Sequence, residues 1–161
     1  MVSVSPVLFS LVVRCARATQ LRDFEVEVRV LYAGVHVDDV ASARLVLGAN
    51  TGGVGDDESD RVGFAISGVV ERVGALVDAS EVPVGANVCA VLPLHDGAGF
   101  AQYVVLDVSL LVPKHAELSH ELVAATILPA SLCYNALLLQ SNVKEGETAL
   151  VLNASSVRVA A

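Results

Sequence analysis

The most constraining feature of this chain is a series of short apolar segments in its middle third, each closed by glycine or proline. The segments cover residues 65–73, 87–92, 101–105 and 110–112. Many short strands joined by turns that contain glycine and proline are typical of a β-sandwich or a small β-barrel. The middle of the chain is therefore expected to be all-β.

A longer strand precedes this series. From Phe24 to Leu31 the sequence FEVEVRVL alternates apolar and charged residues. Because successive side chains of a strand point to opposite faces, this alternation predicts one buried face and one solvated face. The two faces would carry Val26, Val28 and Val30, and Glu25, Glu27 and Arg29, respectively.

The pattern changes after residue 118. Ser119 is a good N-cap for a helix, and Pro129 is expected to divide that helix from a second one over residues 130–140. The nearly continuous apolar run Thr148–Leu152 is typical of a strand buried on both faces of a parallel sheet. We therefore expect a β domain over residues 1–118, followed by helices and one α/β-type strand over residues 119–161.

Composition and charge exclude several classes. Hydrophobic residues make up 54% of the 161 residues, but no apolar run approaches the length of a membrane span. The surplus apolar surface must therefore be buried in this chain or against another one. A net charge of −8 argues against nucleic acid as a partner. The cysteines, Cys15, Cys89 and Cys133, are odd in number and widely spaced, which argues against a disulfide framework or a structural zinc site.

Two segments leave alternatives open. The N-terminus carries Arg14, Arg17 and Arg22 and no acidic residue before Asp23, as organelle transit peptides do, but residues 7–13 also suit a buried first strand. We therefore expect a cytoplasmic location, with a mitochondrial one as the alternative. Residues 50–60 contain TGGVG, which resembles a phosphate-binding loop. The acidic residues beside it favour a surface loop instead.

Six stretches, taken in order, carry a family resemblance. They are FEVEVRVLYAGVHVDDV, GFAISGVVERVG, VPVGANVCAVLP, GFAQYVVLDVSLLVPKHAELS, ELVAATILPASLCYNALLL and EGETALVLNASS. In this order they resemble the medium-chain dehydrogenase/reductase superfamily, in its zinc-free quinone oxidoreductase (zeta-crystallin-like) branch.

The resemblance implies a GroES-like, partly open β-barrel followed by the first helices and first strand of a Rossmann domain. In that family the barrel forms one wall of the substrate cleft, and the complete Rossmann domain holds NADPH. The implied chemistry is the NAD(P)H-dependent reduction of a quinone or of an enoyl substrate.

Several positions depart from the family pattern. Where the family has a glycine-rich loop, this chain has Ala154, Ser155 and Ser156, and a Cβ at those positions would obstruct backbone contact with the dinucleotide. Leu132 occupies the place of a threonine that reaches the cofactor, and a leucine has no hydroxyl to offer. We therefore expect no cofactor to be bound by this chain alone, and NADPH is implied by the family only.

His36 and Tyr134 are the candidate catalytic residues. The resemblance places His36 where the family has an asparagine that contacts substrate and nicotinamide, and Tyr134 on the tyrosine of Y-x-A-L. The alternative for His36 is a solvated turn histidine. Asp39 is expected to cap a short helix. The Cys and Gly-His-Glu of the zinc-dependent relatives are missing, so no metal site is expected.

Two functions remain open. The favoured hypothesis is a non-catalytic interaction or structural subunit, with other subunits or a second copy covering residues 120–161. The alternative is the substrate-side domain of an NADPH-dependent quinone or enoyl reductase whose Rossmann half comes from elsewhere.

Overall fold

The computed structural model describes residues 20–36, 39, 63–93 and 99–151, and within them a single antiparallel sheet carries the fold. Its strands lie in the order β4-β1-β2-β3-β5. A 3₁₀ turn precedes β5, and the helix α1 leads directly into a π-helix. The elements are β1 (Glu25–Gly34), β2 (Ala65–Val73), β3 (Asn87–Val91), β4 (Tyr103–Asp107), the 3₁₀ turn (Val108–Leu110), β5 (Leu111–Pro113), α1 (His120–Tyr134) and the π-helix (Asn135–Gln140). The predicted mainly-β architecture with a helical C-terminal part is confirmed.

The core lies on one face of this sheet. Valine predominates because a β-branched side chain fits the pleated surface. Each side chain of this size contributes about 1.5–3 kcal/mol when it is fully buried. The buried core side chains are Val26, Val28, Ile66, Val70, Val88, Ala90, Leu92, Val104 and Leu106.

Two register shifts interrupt the pairing of β1 with β2. One falls between Glu27 and Val28, and the other falls between Val30 and Tyr32. Bulges of this kind bend a strand and increase its twist. At the second shift, the unpaired Leu31 and the following Tyr32 are both exposed, toward the end of β1 that approaches the helix.

The prediction that Glu27 lies on the solvated face of β1 is wrong, because Glu27 has no exposed surface. It is paired with Arg72 on β2. The Nε of Arg72 donates to Glu27 Oε1 at 3.0 Å, and its Nη2 donates to Oε2. The guanidinium therefore covers and compensates the carboxylate. The neighbouring pair of Arg29 and Glu71 keeps side-chain exposures of 40% and 30%, as the alternation predicted.

Helix α1 begins as predicted and continues further than predicted. Ser119 is its N-cap, and the Ser119 hydroxyl accepts the Leu122 N–H at 3.2 Å. The expected break at Pro129 is wrong, because α1 runs through the proline to Tyr134. An interior proline removes its own N–H from the helical ladder and crowds the carbonyl four residues back, but here the helix continues past it. On either side of it, the hydroxyls of Thr126 and Ser131 donate to carbonyls four residues back.

The apolar run Thr148–Leu152 was expected to form a strand, but residues 148–151 form none in the structure. Leu150 is 85% exposed and Val151 56% exposed. A parallel strand needs neighbours to take up its backbone hydrogen bonds, and no described strand lies beside it. The expected strand at 7–13, the acidic loop 50–60 and the loop Ala154–Ser156 lie outside the described residues.

Candidate functional site

The first turns of α1 dock against the sheet. Val123 and Ala124 are buried there, and α1 contacts β1, β2 and β3. The approach is close enough that a Cβ on Gly34 would collide with the carbonyl oxygen of Ala124. Glycine at the end of β1 is therefore what lets the helix backbone come this near.

A carboxylate fixes the corner that follows β1. Asp39 Oδ2 accepts the His36 N–H at 2.7 Å, and Oδ1 accepts the Gly63 N–H at 3.0 Å. The Asp39 N–H donates in turn to the His36 carbonyl at 3.1 Å. Asp39 was expected to be the N-cap residue itself. Instead, its carboxylate accepts the backbone N–H of His36, three residues earlier, as the acidic residue of a capping box does. His36 therefore takes the N-cap position.

His36 is not a solvated turn histidine. The residue is 5% exposed. Among the buried side-chain polar atoms of the described residues, its Nε2 is the one that has no hydrogen-bond partner. A Cβ on Gly34 would lie 2.7 Å from this nitrogen. The ring therefore faces the junction between β1 and α1. Contact between His36 and a substrate stays a prediction.

A second histidine joins the helix to the sheet. His120 Nδ1 lies 2.7 Å from the hydroxyl of Ser67 on β2, and Nε2 lies 3.1 Å from Oδ1 of Asn87 on β3. The Ser67 hydroxyl also lies 3.1 Å from the Val88 carbonyl. Ser67 is fully buried, so it cannot serve as a nucleophile in this structure. No sequence signal pointed to this cluster, because its members come from three separate elements.

Two ionisable groups at this junction have shifted pKa values. Burial, and secondarily the charge of Lys114, lowers the pKa of His120. The pKa of Tyr32 is raised, because its hydroxyl is hydrogen-bonded to the Glu121 carboxylate and the negative charge of that group repels a phenolate. The first turn of α1 is thus held to β2 and β3 by the polar contacts of His120.

The remainder of α1 and the π-helix form a bare apolar segment, in which no residue from 125 to 140 is buried. No charged residue lies between Glu121 and Lys144. By length and composition alone, His120–Gln140 could cross a membrane: its mean hydropathy is 1.8 and 11% of it is buried. Helices that pack inside proteins pass the same test. The exposed large side chains of α1 and the π-helix are Leu122, Leu132, Tyr134, Leu137, Leu138 and Leu139, and they point to several sides of the helix.

The two candidate catalytic residues occupy different environments. Tyr134 is 57% exposed on the last turn of α1, whereas His36 is buried at the end of β1. The Nε2 of His36 makes no hydrogen bond to the tyrosine hydroxyl. The described structure therefore does not join them into one catalytic pair.

A shallow apolar depression of about 500 Å³ lies between the second half of β1 and residues 99–102. Its walls include Leu31, Ala33 and Phe100, with Gln102 as the polar group. Among the described residues, no ionisable side chain lines it. The described lining can therefore hold an apolar group but supplies no proton donor or base from an ionisable side chain.

The described residues do not fit a dinucleotide. Nicotinamide nucleotides bind at the carboxyl ends of adjacent parallel strands, with a helix N-terminus on the pyrophosphate. Every strand pair of the described sheet is antiparallel. The described residues also contain no group of three or more potential metal-ligating side chains.

Comparison with known proteins gives related sequences and folds. The chain is 30% identical over 139 residues to the hybrid PKS-NRPS synthetase pynA of Aspergillus niger, a match that covers 85% of this chain and 3% of that synthetase. CurK enoyl reductase superposes with a TM-score of 0.66 at 26% identity, over 82% of this chain and 39% of that one. A quinone oxidoreductase of Pseudomonas syringae gives a TM-score of 0.65 at 26% identity, over 82% and 38%. No protein-family model matches.

These comparisons confirm the resemblance noted in the sequence. The structural neighbours of this chain are enoyl reductases and quinone oxidoreductases, the classes that the medium-chain dehydrogenase/reductase resemblance implies. The chain spans about two fifths of the length of those solved structures. Membership of the zinc-free branch stays a prediction.

Proposed function

We propose that this chain forms the substrate-side wall of a reductase of the quinone or enoyl class and transfers no hydride by itself. The observation that carries the proposal is the bare apolar segment of α1 and the π-helix. It has no charged residue, and Leu150 and Val151, further along the chain, are also exposed. Exposed apolar patches of this kind mark a surface that another structure covers.

The covering structure that fits is a nicotinamide-binding α/β domain. The structural relatives are more than twice as long as the part that this chain matches. An apolar segment at residues 148–151 also has the composition of a parallel strand that lacks neighbours. With such a domain in place, the depression beside Leu31 and Phe100 would receive the apolar part of the substrate, and NADPH would be held by the other half.

A second candidate is a structural or interaction subunit without catalysis. Two substitutions favour it: Leu132 stands where the family has a hydroxyl, and Ala154–Ser156 replaces the glycine-rich loop. Both hypotheses require the same interface and differ in whether the assembled complex reduces a substrate.

The first experiment titrates NADPH into the purified chain and follows nicotinamide fluorescence and melting temperature. A ligand that binds only the folded state at 100 times its dissociation constant adds about 2.7 kcal/mol of stability. We expect no saturable change. A saturable rise in melting temperature would mean that the chain binds the nucleotide alone, which the proposal excludes.

The second experiment tests the segment itself by light scattering. Leu139→Glu should reduce self-association of the isolated chain, because it places a charge in the bare apolar segment at its most exposed leucine. Leu76→Glu is the matched control, since Leu76 is similarly exposed (60% against 64%) but lies in the turn after β2. Equal effects of the two variants would remove the argument for a specific interface.

The complex isolated from the native source separates the two candidates. Its oxidation of NADPH with a quinone or an enoyl thioester would support the reductase. A stoichiometric complex without that activity would favour the structural subunit.

A further inference from the structure

The part of α1 beyond Ala124 is held by its own backbone more than by packing. Val123 and Ala124 are buried against the sheet, whereas no residue from 125 to 140 is buried. The hydroxyls of Thr126 and Ser131 donate to carbonyls four residues back, so these hydrogen bonds also stay within the helix. From residue 125 onward the helix therefore draws its stability mainly from helical hydrogen bonds.

Helical hydrogen bonds without packing give a marginal helix. Helices shorter than about 12–15 residues are marginal in water, because hydrogen bonding barely offsets the entropy lost in ordering the backbone. Pro129 divides this helix into two pieces, residues 125–128 and 130–140, that are both shorter than that. No charged residue lies between Glu121 and Lys144, so ion pairs along the helix add no stability there.

The first turn of α1, in contrast, is attached to the sheet. The His120 ring contacts Ser67 of β2 and Asn87 of β3. The backbone at Ala124 packs so closely on Gly34 that a Cβ there would collide with the carbonyl oxygen. The docked turn can therefore stay in place when the helix beyond it opens, and it remains as a nucleus on which that helix re-forms.

We propose that residues 125–140 form a separate cooperative unit, which opens by local unfolding while the sheet stays folded and closes into a stable helix when the proposed α/β domain covers it. Elements that take part in binding are commonly drawn from the least stable parts of a fold. Covering supplies the missing packing, since the burial of one leucine shifts such an equilibrium about tenfold or more. Helix formation and assembly are thereby coupled. The inference rests on the proposed covering domain but not on the reductase activity.

Amide hydrogen exchange of the full 161-residue chain, read by NMR at several protein concentrations, tests the proposal. The reference is the amide of Val70, which donates to the Ala86 carbonyl inside the sheet at 3.0 Å. In dilute protein we expect residues 130–140 to be protected at least about tenfold less than Val70. Self-association covers the leucines of the segment, so the protection of residues 130–140 should rise with concentration while that of Val70 stays constant.

Two results overturn the proposal. One is protection of residues 130–140 equal to that of Val70 in monomeric protein, because the helix and the sheet then unfold together. The other is a segment that stays unprotected in associated protein whose association Leu139→Glu abolishes, because covering then does not close the helix. Neither result changes the expectation that the chain alone does not bind NADPH, so a failure of this proposal is distinguishable from a failure of the proposed function.

A matched pair of variants supplies the second measurement. Ala124→Gly and Ala130→Gly make the same change in α1, at a buried and at an exposed position. Glycine weakens a formed helix about fivefold at either position. We expect Ala124→Gly to lower the melting temperature and Ala130→Gly to leave it unchanged, because a marginal helix has little stability to lose. A clear loss with Ala130→Gly overturns the proposal. If Ala124→Gly does not fold, the exchange of the unmodified chain decides.

Discussion

Replacing Gly34 by alanine tests whether the close approach of α1 to β1 holds the helix in place. The added Cβ would lie 2.7 Å from His36 Nε2, about 0.7 Å inside the ordinary contact of 3.4 Å, and nearer still to the Ala124 carbonyl oxygen. The carbonyl belongs to the helix backbone and cannot rotate away as a side chain could. The helix must therefore shift as a body, or β1 must distort.

The size of the effect follows from what a shifted helix loses. Val123 is 7% exposed in the docked helix, and uncovering it costs about 1.5 kcal/mol. Loss of the hydrogen bond between His120 and Ser67 costs about 1 kcal/mol. Together these predict that Gly34→Ala lowers the free energy of unfolding by about 2–3 kcal/mol, within the range measured for overpacked cores.

Urea unfolding followed by circular dichroism measures this change, and Gly85→Ala is the control. A Cβ on Gly85 meets nothing within 4 Å, but Gly85 has a φ of +89°, so alanine there suffers backbone strain of about 1–2 kcal/mol without a collision. Amide exchange separates the two causes: Gly34→Ala should expose the amides of Val123 and Ala124, and Gly85→Ala should not. If both variants leave these amides equally protected, the close approach does not hold the helix and the reasoning fails.

Two further predictions concern charge and the helix backbone. Arg72→Met should lower the melting temperature at least threefold more than Arg29→Met, because it uncovers the fully buried Glu27 whereas Arg29 pairs with a part-exposed acid. Equal losses at neutral pH would contradict the burial of Glu27. Pro129→Ala should stabilise the chain by about 1–3 kcal/mol in the same urea assay, since it restores a helical N–H. A loss of stability would show that the proline is required for the shape of α1.

The sequence correctly predicted the elements that are determined by neighbouring residues. Strand β2 was expected at Ala65–Val73 and is observed there, and Ser119 caps α1 as its side chain and position suggested. The alternation in β1 correctly placed Val26 and Val28 in the core. In each case the deciding interactions lie within the segment or follow from its period.

Two features that the sequence did not predict involve contacts from distant parts of the chain. Glu27 is buried because Arg72, 45 residues away, covers it, and no periodicity reports such a partner. The contacts of His120 were not predicted either, because histidines 115 and 120 have no ligand spacing and the partners of His120 lie on β2 and β3. The wrong prediction at Pro129 is of another kind, because α1 continues through the proline although no residue from 125 onward is buried.

Helix α1 has one part that is packed against the sheet and another part that is exposed. Residues 119–124 are capped, hydrogen-bonded and buried against the strands, so they belong physically to the sheet. From residue 125 onward the helix has no buried residue, and its exposed leucines continue into the π-helix. The predicted domain boundary at 118/119 would therefore separate the sheet from the helix backbone that packs against Gly34. The helix is fixed to the sheet at one end and exposed at the other, and the proposed covering domain would take up the exposed end.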